Sequence, residues 1–301
     1  MNGRRIDGLT LAVVGGDERE REIARLAAEA GARVRAFGFP WPSEGIEGVI
    51  SAVSAEEALD GARYALFPIP GLATDGSLFA PSSPAPIVPD LALLGHLAKE
   101  AAIILGTADE ALRRSASSLG LSVIEYEDDK ELMLRRAPAI VEGAIGLAIA
   151  NTDFTLHDAT VAVVGHGTVG RLLAQRLVAL SAHVHVFARN PIQRADAYTT
   201  GCQAHPLEEL IDFAPQLDVL ISTAPARLVD RDVLCALAPR RLVMDLCAPP
   251  GSVDLSAALE LGHRALWARG LGRRAPVSVG RSQWDGVIKR IIEREEKRSE
   301  G

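Results

Sequence analysis

The sequence predicts an α/β protein made of two doubly wound parallel-sheet domains with a cleft between them. Short apolar runs of strand length alternate with helical patterns along nearly all of the 301 residues, and this order builds parallel sheets. The second half of the chain repeats the plan of the first, and a chain of this length suits two domains of ordinary size. A G-x-G-x-x-G turn also lies between a strand-like run and a helical pattern in the second half.

The first half is predicted to form a domain over residues 1–138. A helix follows its first strand, with Ile23, Leu26 and Ala27 on one face, and Gly31 ends that helix. Strands are predicted at residues 9–14, 33–37, 64–69, 101–105 and 121–126. We assign this half as a flavodoxin-like domain on the substrate side of the cleft.

The second half is predicted to form a Rossmann dinucleotide-binding domain over residues 139–285, followed by a C-terminal helix and tail over 286–301. A helix around residues 139–151 is expected to join the two halves. Strands are predicted at residues 161–164, 183–187, 218–222, 241–245 and 264–267. Ligands of such sheets bind beyond the carboxyl ends of the strands, so we expect them in the cleft.

Composition and charge exclude several classes of protein. A net charge of −7 argues against a general nucleic-acid binder, because such proteins have a basic excess. No apolar run approaches the roughly 18 residues of a membrane-spanning helix. The three cysteines lack metal or redox spacing, and there is no zinc signature, so we expect no metal, buried free thiols and a cytoplasmic location.

The glycine-rich turn follows the apolar strand at residues 161–164 and opens a helix. In such motifs the first glycine makes a tight turn, the second lets the backbone approach a pyrophosphate, and the third packs helix on sheet. The helix N-terminus supplies unpaired N–H groups to the phosphates. The predicted contacts to the cofactor in this turn are Gly165, His166, Gly167, Thr168, Val169 and Gly170.

Arg189 ends the next predicted strand, where NAD-binding chains usually have an acidic residue that binds the ribose 2′-hydroxyl. A guanidinium suits a 2′-phosphate instead, so we predict NADP as the cofactor, with Asn190 and Arg194 nearby. The alternative is a solvated surface arginine. Further contacts to the cofactor are expected after the strand at 218–222, from Thr223, Ala224 and Pro225.

The N-terminal half opens on a similar stretch, VVGGDERE, which we do not interpret as a second dinucleotide site. Asp17 and Glu18 stand where the pyrophosphate would come, and their charges would repel it. We interpret Asp17 as a helix N-cap, which leaves this half for the substrate.

The catalytic and substrate groups are less evident than the cofactor site. The layout resembles D-2-hydroxyacid dehydrogenases, but the arginine that this family has after the strand at 241–245 is absent from DLCAPPGSVD, and the histidine that it has near the last strand is absent from WARGLGRRAPVS. No histidine is placed beside an acid as a general base, so the catalytic residues are not assigned. The candidates for substrate contact are Glu142, Thr107, Arg273 and Arg274. The alternatives are a first-turn helix acid at Glu142 and a solvated charge run at Arg273 and Arg274.

Several longer segments resemble one family, the A subunits of dipicolinate synthase. They are GLTLAVVGGDERE near the start, VEGAIGLAIANTDFTLHDATVAVVGHGTVG at 141–170, ISTAPARLV at 221–229, LVMDLCAPPGSVD at 242–254 and ARGLGRRAPVSVG at 268–280. The resemblance implies an NADP-linked oxidation of dihydrodipicolinate, or its hydrated precursor, to dipicolinate. That reaction branches from lysine and diaminopimelate synthesis in sporulating bacteria.

The resemblance also implies a small dicarboxylate as substrate and, as partner, a flavoprotein-like B subunit; we also expect a homo-oligomer. The chain departs from the family at two positions, since Pro249 stands at or beside an expected arginine and Val277 replaces an expected lysine. Two alternatives therefore stay open. One is an NADP-dependent dehydrogenase of another small carboxylic acid, and the other is a non-catalytic NADP-binding partner subunit.

Overall fold

Residues 6–300 are described by the structure, a computed structural model of the chain. Residues 1–5, at the start of the first predicted domain, and residue 301, at the end of the predicted tail, lie outside the described residues. The chain divides into two units. The first runs to Arg136 and resumes at Ala275, and the second is Ala137–Arg274.

The first unit contains a six-stranded parallel sheet in the order β3-β2-β1-β4-β5-β6. Its elements are β1 (Thr10–Val14), α1 (Glu18–Glu29), β2 (Arg33–Phe37), β3 (Val49–Ser51), α2 (Ala55–Leu59), β4 (Tyr64–Leu66), α3 (Leu91–Leu94), β5 (Ala102–Leu105), α4 (Glu110–Ser118) and β6 (Ser122–Glu125). The doubly wound parallel sheet is confirmed. Its order is 3-2-1-4-5-6, the dinucleotide-binding order, which corrects the flavodoxin-like detail of the expectation because flavodoxin-like sheets have the order 2-1-3-4-5.

The second unit contains another six-stranded parallel sheet, in the order β12-β11-β10-β7-β8-β9. From the opposite edge this is again 3-2-1-4-5-6, as predicted for a Rossmann domain. Helix α5 (Lys130–Ala150) leads into it. The elements that follow are β7 (Thr160–Val164), α6 (Thr168–Ala179), β8 (His183–Phe187), α7 (Pro191–Thr199), β9 (Gln203–His205), α8 (Leu210–Phe213), β10 (Val219–Ser222), α9 (Arg231–Ala236), β11 (Leu242–Asp245), α10 (Leu255–Glu260) and β12 (Arg264–Trp267), with 3-10 turns at Leu207–Glu209, Ala214–Gln216 and Leu271–Arg274.

Two helices, α5 and α11, differ from the prediction in their bounds or in the unit to which they belong. Helix α5 starts at Lys130 rather than near residue 139 and contains Pro138 in its interior. The last helix, α11 (Pro276–Ser299), is continuous and belongs with the first unit, whereas the sequence predicted a second domain up to residue 285. The reason is its close packing on α1, since a Cβ on Gly280 would lie 2.6 Å from the carbonyl oxygen of Arg19.

The central strands of both sheets are buried on both faces, as their uninterrupted apolar sequences predict. In β1 and β7, for example, Ala12, Val13, Val161 and Val163 have no exposed surface. The two strands that the sequence did not predict, β3 and β9, are partly exposed edge strands of three residues, so neither has an apolar run to mark it.

The three cysteines are free thiols. Cys202 and Cys247 are buried as expected, but Cys235 lies on an exposed side of α9, so burial was wrongly expected for it. Within residues 6–300 no helix is long and apolar enough to span a membrane. The same part of the chain contains no cluster of three or more histidine, cysteine or acidic side chains suited to a metal ion.

Candidate functional site

The carboxyl ends of the strands in the second sheet form one row. Val164 of β7 is in register with Phe187 on one side and Ser222 on the other, and Ser222 is in register with Asp245, which pairs with Trp267. The loops that follow these five residues therefore lie along one edge of the sheet. Doubly wound sheets bind their ligands at this edge, and the predicted cofactor residues all belong to these loops or to the helix starts beside them.

The first and third glycines of the motif close the turn between β7 and α6. Gly165 has a φ of +93°, a left-handed conformation that side chains other than hydrogen disfavour. A Cβ on Gly170 would collide with the carbonyl oxygen of Gly165 and would lie 2.5 Å from Thr223 Oγ1. Thr223 Oγ1 donates to the carbonyl oxygens of Val164 and Gly165 at 3.2 and 3.3 Å. The predicted residue Thr223 thus holds the turn itself.

The second glycine leaves the start of α6 open. Gly167 is the N-cap of this helix and supplies no side-chain cap, so the first N–H groups of the helix are not capped by a side chain of their own N-cap residue. A Cβ on Gly167 would meet no atom within 4 Å. Thr168 is exposed at the first helical position, and the half-buried Val169 packs on the core. The space and the free donors fit a dinucleotide pyrophosphate.

The three predicted residues after β8 have different surroundings. Arg189 is exposed, and no acidic side chain in residues 6–300 pairs with it. Asn190 is the N-cap of α7, and its side-chain oxygen accepts from Ile192 N at 2.8 Å. Arg194 Nη1 donates to the carbonyl oxygens of Ala188 and Arg189 at 2.9 and 2.8 Å. Asn190 and Arg194 therefore shape the loop that presents Arg189.

His166 is held by a pair of side chains that the sequence did not reveal. Its Nε2 lies 2.9 Å from Asp196 Oδ2, and Arg171 Nε donates to the same oxygen at 2.7 Å. These two neighbours, Arg171 first, hold the pKa of the Asp196 carboxyl below its usual range. The imidazole is buried, and its Nδ1 has no hydrogen-bond partner among residues 6–300. Because the ring and the carboxylate are 30 residues apart in sequence, no spacing pattern could have indicated their contact.

Next along the edge, the loop after β11 is fixed by Asp245. Its buried carboxylate accepts from the backbone N–H groups of Cys247, Ser252 and Val253 at 2.9, 2.6 and 2.9 Å. Burial raises the pKa of the Cys247 thiol to about 12, so this cysteine stays protonated and is not a nucleophile at neutral pH. Cys247 Sγ lies 3.0 Å from the carbonyl oxygen of Ala224, which ties this loop to the predicted residues that follow β10.

Ala224 and Pro225 line the other side of the glycine turn. The Cβ of Ala224 would lie 3.0 Å from a Cβ on Gly165, so the loop after β10 packs directly against the turn. Pro225 is exposed and Pro249 lies in the loop that Asp245 fixes. No cation stands at position 249, which agrees with the departure noted in the sequence.

Two of the candidate substrate residues neutralise each other. Arg274 Nη2 lies 2.6 Å from Glu142 Oε2, and both side chains are more than half exposed. Glu142 lies well inside α5 and not at a helix start, so the interpretation as a first-turn acid is wrong, because the helix begins at Lys130. Arg273 is exposed in the 3-10 turn Leu271–Arg274.

Thr107 lines a cavity of about 450 Å³ in the first unit. The cavity is also lined by Arg113 and Arg290 and by four acidic side chains, Glu125, Glu127, Asp128 and Asp129. Arg113 pairs with Glu125 at 2.9 Å and Arg290 with Asp129 at 2.8 Å. Carboxylates therefore outnumber cations around Thr107, which disfavours a dicarboxylate there.

The glycine-rich stretch after β1 is closed, in contrast to the one after β7. Asp17 is the N-cap of α1, as predicted, and accepts from Arg19 N at 3.1 Å and from the Arg19 guanidinium at 2.8 Å. Glu20 Oε2 accepts from Asp17 N at 2.8 Å, and Oε1 accepts from Ile69 N at 2.7 Å. Burial raises the pKa of Glu20 to about 7. A side chain on Gly16 would collide with Glu20, so no phosphate fits there.

Comparison with known proteins assigns each unit to a domain type. Residues 10–127 match the family model of the N-terminal domain of the dipicolinate synthase A subunit. Residues 142–241 match that of the D-isomer specific 2-hydroxyacid dehydrogenase NAD binding domain. The second unit is therefore of a nicotinamide-cofactor type, and its match leaves the choice between NAD and NADP open.

Relatives extend over nearly the whole chain. The dipicolinate synthase A subunit of Bacillus subtilis (strain 168) is 29% identical over 276 residues, which are 91% of this chain and 93% of the relative. The crystal structure of the dipicolinate synthase A subunit from Bacillus halodurans matches with a TM-score of 0.87 and 28% identity, covering 95% and 98% of the two chains. That of the dipicolinate synthase A chain from Bacillus subtilis has a TM-score of 0.86 and 27% identity, with 99% and 100% covered.

Proposed function

We propose that this chain, an NAD(P)-dependent oxidoreductase that is similar over nearly its whole length to dipicolinate synthase A subunits, oxidises dihydrodipicolinate, or its hydrated precursor, to dipicolinate with NADP. The observation that carries this proposal is the open start of α6, where Gly167 leaves room for a pyrophosphate in a chain similar to a dipicolinate synthase A subunit over 91% of its length.

The proposed reaction removes two hydrogens from the substrate ring, one as a hydride, for which bound NADP would supply the acceptor, and one as a proton, which would pass to solvent. The hydrated precursor loses a water molecule as well. Aromatisation favours the products, so the protein mainly has to orient the substrate and keep water out, and a strong acid–base pair is less important than in ketone reduction. This agrees with the described loops after β10, β11 and β12, which contain no histidine, and with His166 after β7, which is buried and paired with Asp196 beside the glycine turn.

In the proposed cofactor site, each predicted residue has a specific task. The turn of Gly165, Gly167 and Gly170, with the backbone N–H groups of Thr168 and Val169, holds the pyrophosphate. Thr223, Ala224 and Pro225, in the loop after β10, would contact the nicotinamide half. His166 supports the turn from its buried contact with Asp196.

We base the preference for NADP on Arg189. Its guanidinium is exposed, unpaired within residues 6–300, and presented by a loop that Asn190 and Arg194 brace. A charge-assisted contact to the 2′-phosphate contributes about 1.5–3 kcal/mol, which corresponds to roughly a 10- to 100-fold preference for NADP over NAD.

The test is to measure the affinities of the protein for NADP and NAD by calorimetry in the wild type and in Arg189→Asp. We expect the NADP preference to fall by about 10- to 100-fold or more in the variant. Arg240→Asp is the matched control, because it makes the same charge change at an exposed residue before the amino end of β11. An unchanged affinity ratio in Arg189→Asp would contradict the assignment.

We further propose that the protein acts in the cytoplasm as a homo-oligomer and works with a flavoprotein-like B subunit, because its relatives are A subunits of a synthase. The assay mixes the purified chain with NADP and freshly generated dihydrodipicolinate, with and without the B subunit. Formation of dipicolinate and NADPH supports the proposal. Turnover only in the presence of the B subunit would place that partner in the reaction.

One observation favours a second candidate, the oxidation of another small carboxylic acid. Pro249 and Val277 stand where the family resemblance implies cations, so part of the charge expected around a dicarboxylate is missing from these positions. NADP reduction with a different small acid, but not with dihydrodipicolinate, would favour this candidate. Cofactor binding without turnover of any such acid, with the B subunit present, would favour a non-catalytic NADP-binding subunit.

A further inference from the structure

A cation–aromatic pair lies at the end of β12, two strands from the loop that follows β10. The guanidinium carbon of Arg269 lies over the Trp267 ring, 5.4 Å from the ring centroid. Both side chains are exposed, and Trp267 keeps 44% of its surface. The pair belongs to the edge where the glycine turn and Thr223 lie, because Trp267 is in register with Asp245, and Asp245 with Ser222.

The indole ring is fixed in place. Trp267 Nε1 donates to the carbonyl oxygen of Cys247 at 2.9 Å, and Cys247 N itself donates to the buried carboxylate of Asp245. A Cβ on Gly251 would lie 3.9 Å from the ring, so the loop after β11 packs beside the indole. The platform under Arg269 is therefore a pre-ordered part of the fold.

The charge and the N–H donors of the Arg269 guanidinium are available to a ligand. Within residues 6–300 no acidic side chain pairs with Arg269, and its side chain donates no hydrogen bond. A guanidinium over an aromatic ring keeps its N–H groups for other acceptors, since the ring interacts with the cation's charge. The neighbouring Arg274 differs, because Glu142 neutralises it.

The position of the pair also suits a substrate. Arg189 follows β8, on one side of the glycine turn, and Trp267 ends β12, on the other side. A dinucleotide with its adenosine half at Arg189 extends its nicotinamide half toward β10, and the next positions along the edge are the loops after β11 and β12. A chain with a net charge of −7 also needs a local cation to attract a dianion.

We propose that Arg269, held over Trp267, binds one carboxylate of a planar aromatic or dihydroaromatic acid. This inference deepens the proposed function and rests on it for the identity of the acid. Arg269 supplies the bidentate N–H pair, and the rigid indole limits the orientations of the guanidinium before the ligand arrives.

The test titrates pyridine-2,6-dicarboxylate into the full chain in the presence of NADP and measures its affinity by calorimetry. Arg269→Gln is expected to weaken binding by about 10- to 100-fold, and Trp267→Leu by about 2- to 5-fold. Arg264→Gln is the matched control, because Arg264 is an exposed arginine at the amino end of the same strand and donates to the carbonyl oxygen of Asn151. Its affinity for the diacid should equal that of the wild type.

A second ligand tests the requirement for a planar acid. Glutarate has the same number of atoms between its carboxyl groups but no ring, and we expect it to bind more weakly than the pyridine diacid in the wild type. This difference should shrink in Trp267→Leu. NADP affinity should be unchanged in all three variants, which shows that each one is folded.

Two results would overturn the inference. One is an Arg269→Gln variant that binds the pyridine diacid as tightly as the wild type, and the other is a wild type that does not bind it at all. The proposed function fails separately: if the diacid binds through Arg269 but dihydrodipicolinate is not oxidised even with the B subunit, the site stands and the reaction does not.

Discussion

The loop after β1 and the loop after β7 follow the first strand of two sheets with the same strand order, yet their helices begin in opposite ways. After β7, Gly167 caps α6 with no side chain and faces empty space. After β1, Asp17 caps α1, and Glu20 closes the capping box from the other side. One helix start offers N–H donors to an anion, whereas the other has its donors satisfied by the chain's own carboxylates.

This difference teaches that strand order alone does not make a nucleotide site. Both units have the dinucleotide-binding order, but the chemistry of three or four residues at the first helix start decides whether a phosphate fits. In the first unit these residues form a buried polar network that stabilises the fold. In the second they leave the same position free for a ligand.

The largest effect is a loss of stability expected from a substitution in the loop after β1. Asp17→Ala removes the N-cap of α1 and leaves the buried Arg19 guanidinium without its bidentate partner. Breaking such a pair lowers the free energy of unfolding by about 3–5 kcal/mol. Denaturant unfolding measures this loss. The control is Asp90→Ala, which removes an exposed N-cap of α3 and should cost about 1 kcal/mol. Equal losses in the two variants would contradict the role given to the buried pair.

The next prediction concerns a substitution that gives the loop after β7 an acidic helix cap like that of the loop after β1. Gly167→Asp places a carboxylate at the start of α6, where it caps the helix and repels a pyrophosphate. We expect the affinity for NADP to fall by at least about 100-fold, or roughly 2.7 kcal/mol, while the free energy of unfolding is unchanged or rises slightly. Gly167→Ala separates charge from size, since its Cβ has free space and the loss should be much smaller. Calorimetry measures the affinities for NADP. If Gly167→Asp binds NADP as tightly as the wild type, the open start of α6 is not the pyrophosphate site.

An effect of similar size concerns pH and the buried carboxyl of Glu20 in the loop after β1. Burial raises the pKa of Glu20 from 4.5 to about 7, so between these values the folded chain holds a proton that the unfolded chain has released. This contribution to stability is present in full below pH 4.5 and is lost as the pH rises to 7. Its size is about 3 kcal/mol.

Glu20→Gln removes this titration, so the variant isolates it from all other groups. Between pH 4.5 and 7 the wild type should lose this contribution to its free energy of unfolding, whereas Glu20→Gln should not, because only the wild type acquires a buried charge. Urea unfolding at a series of pH values measures the difference. A difference that does not change with pH would show that Glu20 does not titrate in this range.

Much of the fold could be predicted from the sequence, because the decisive signals were local. The strands of both sheets are continuous apolar runs, and the capping residue Asp17 and the glycine turn are short motifs with fixed spacing. Helix α5 starts earlier than predicted and continues through Pro138, a residue that is unfavourable in a helix interior.

The features that could not be predicted depend on contacts between residues far apart in sequence. The packing of α11 on α1 placed Pro276–Ser299 with the first unit, and no periodicity in either helix specifies its partner. Likewise, the charge of Arg274 is neutralised by Glu142, 132 residues away, whereas Arg269 stays unpaired within residues 6–300. The sequence shows three arginines in one basic cluster and does not distinguish them.

Hydrogen exchange of the full chain with and without NADP tests the contrast between the two loops most directly. We expect NADP to slow amide exchange at residues 165–171, which form the glycine turn and the first turn of α6, and at residues 188–194 around Arg189. Exchange at residues 15–20, after β1, should not change. Protection at residues 15–20, or no protection at 165–171 when NADP is saturating, would contradict this expectation.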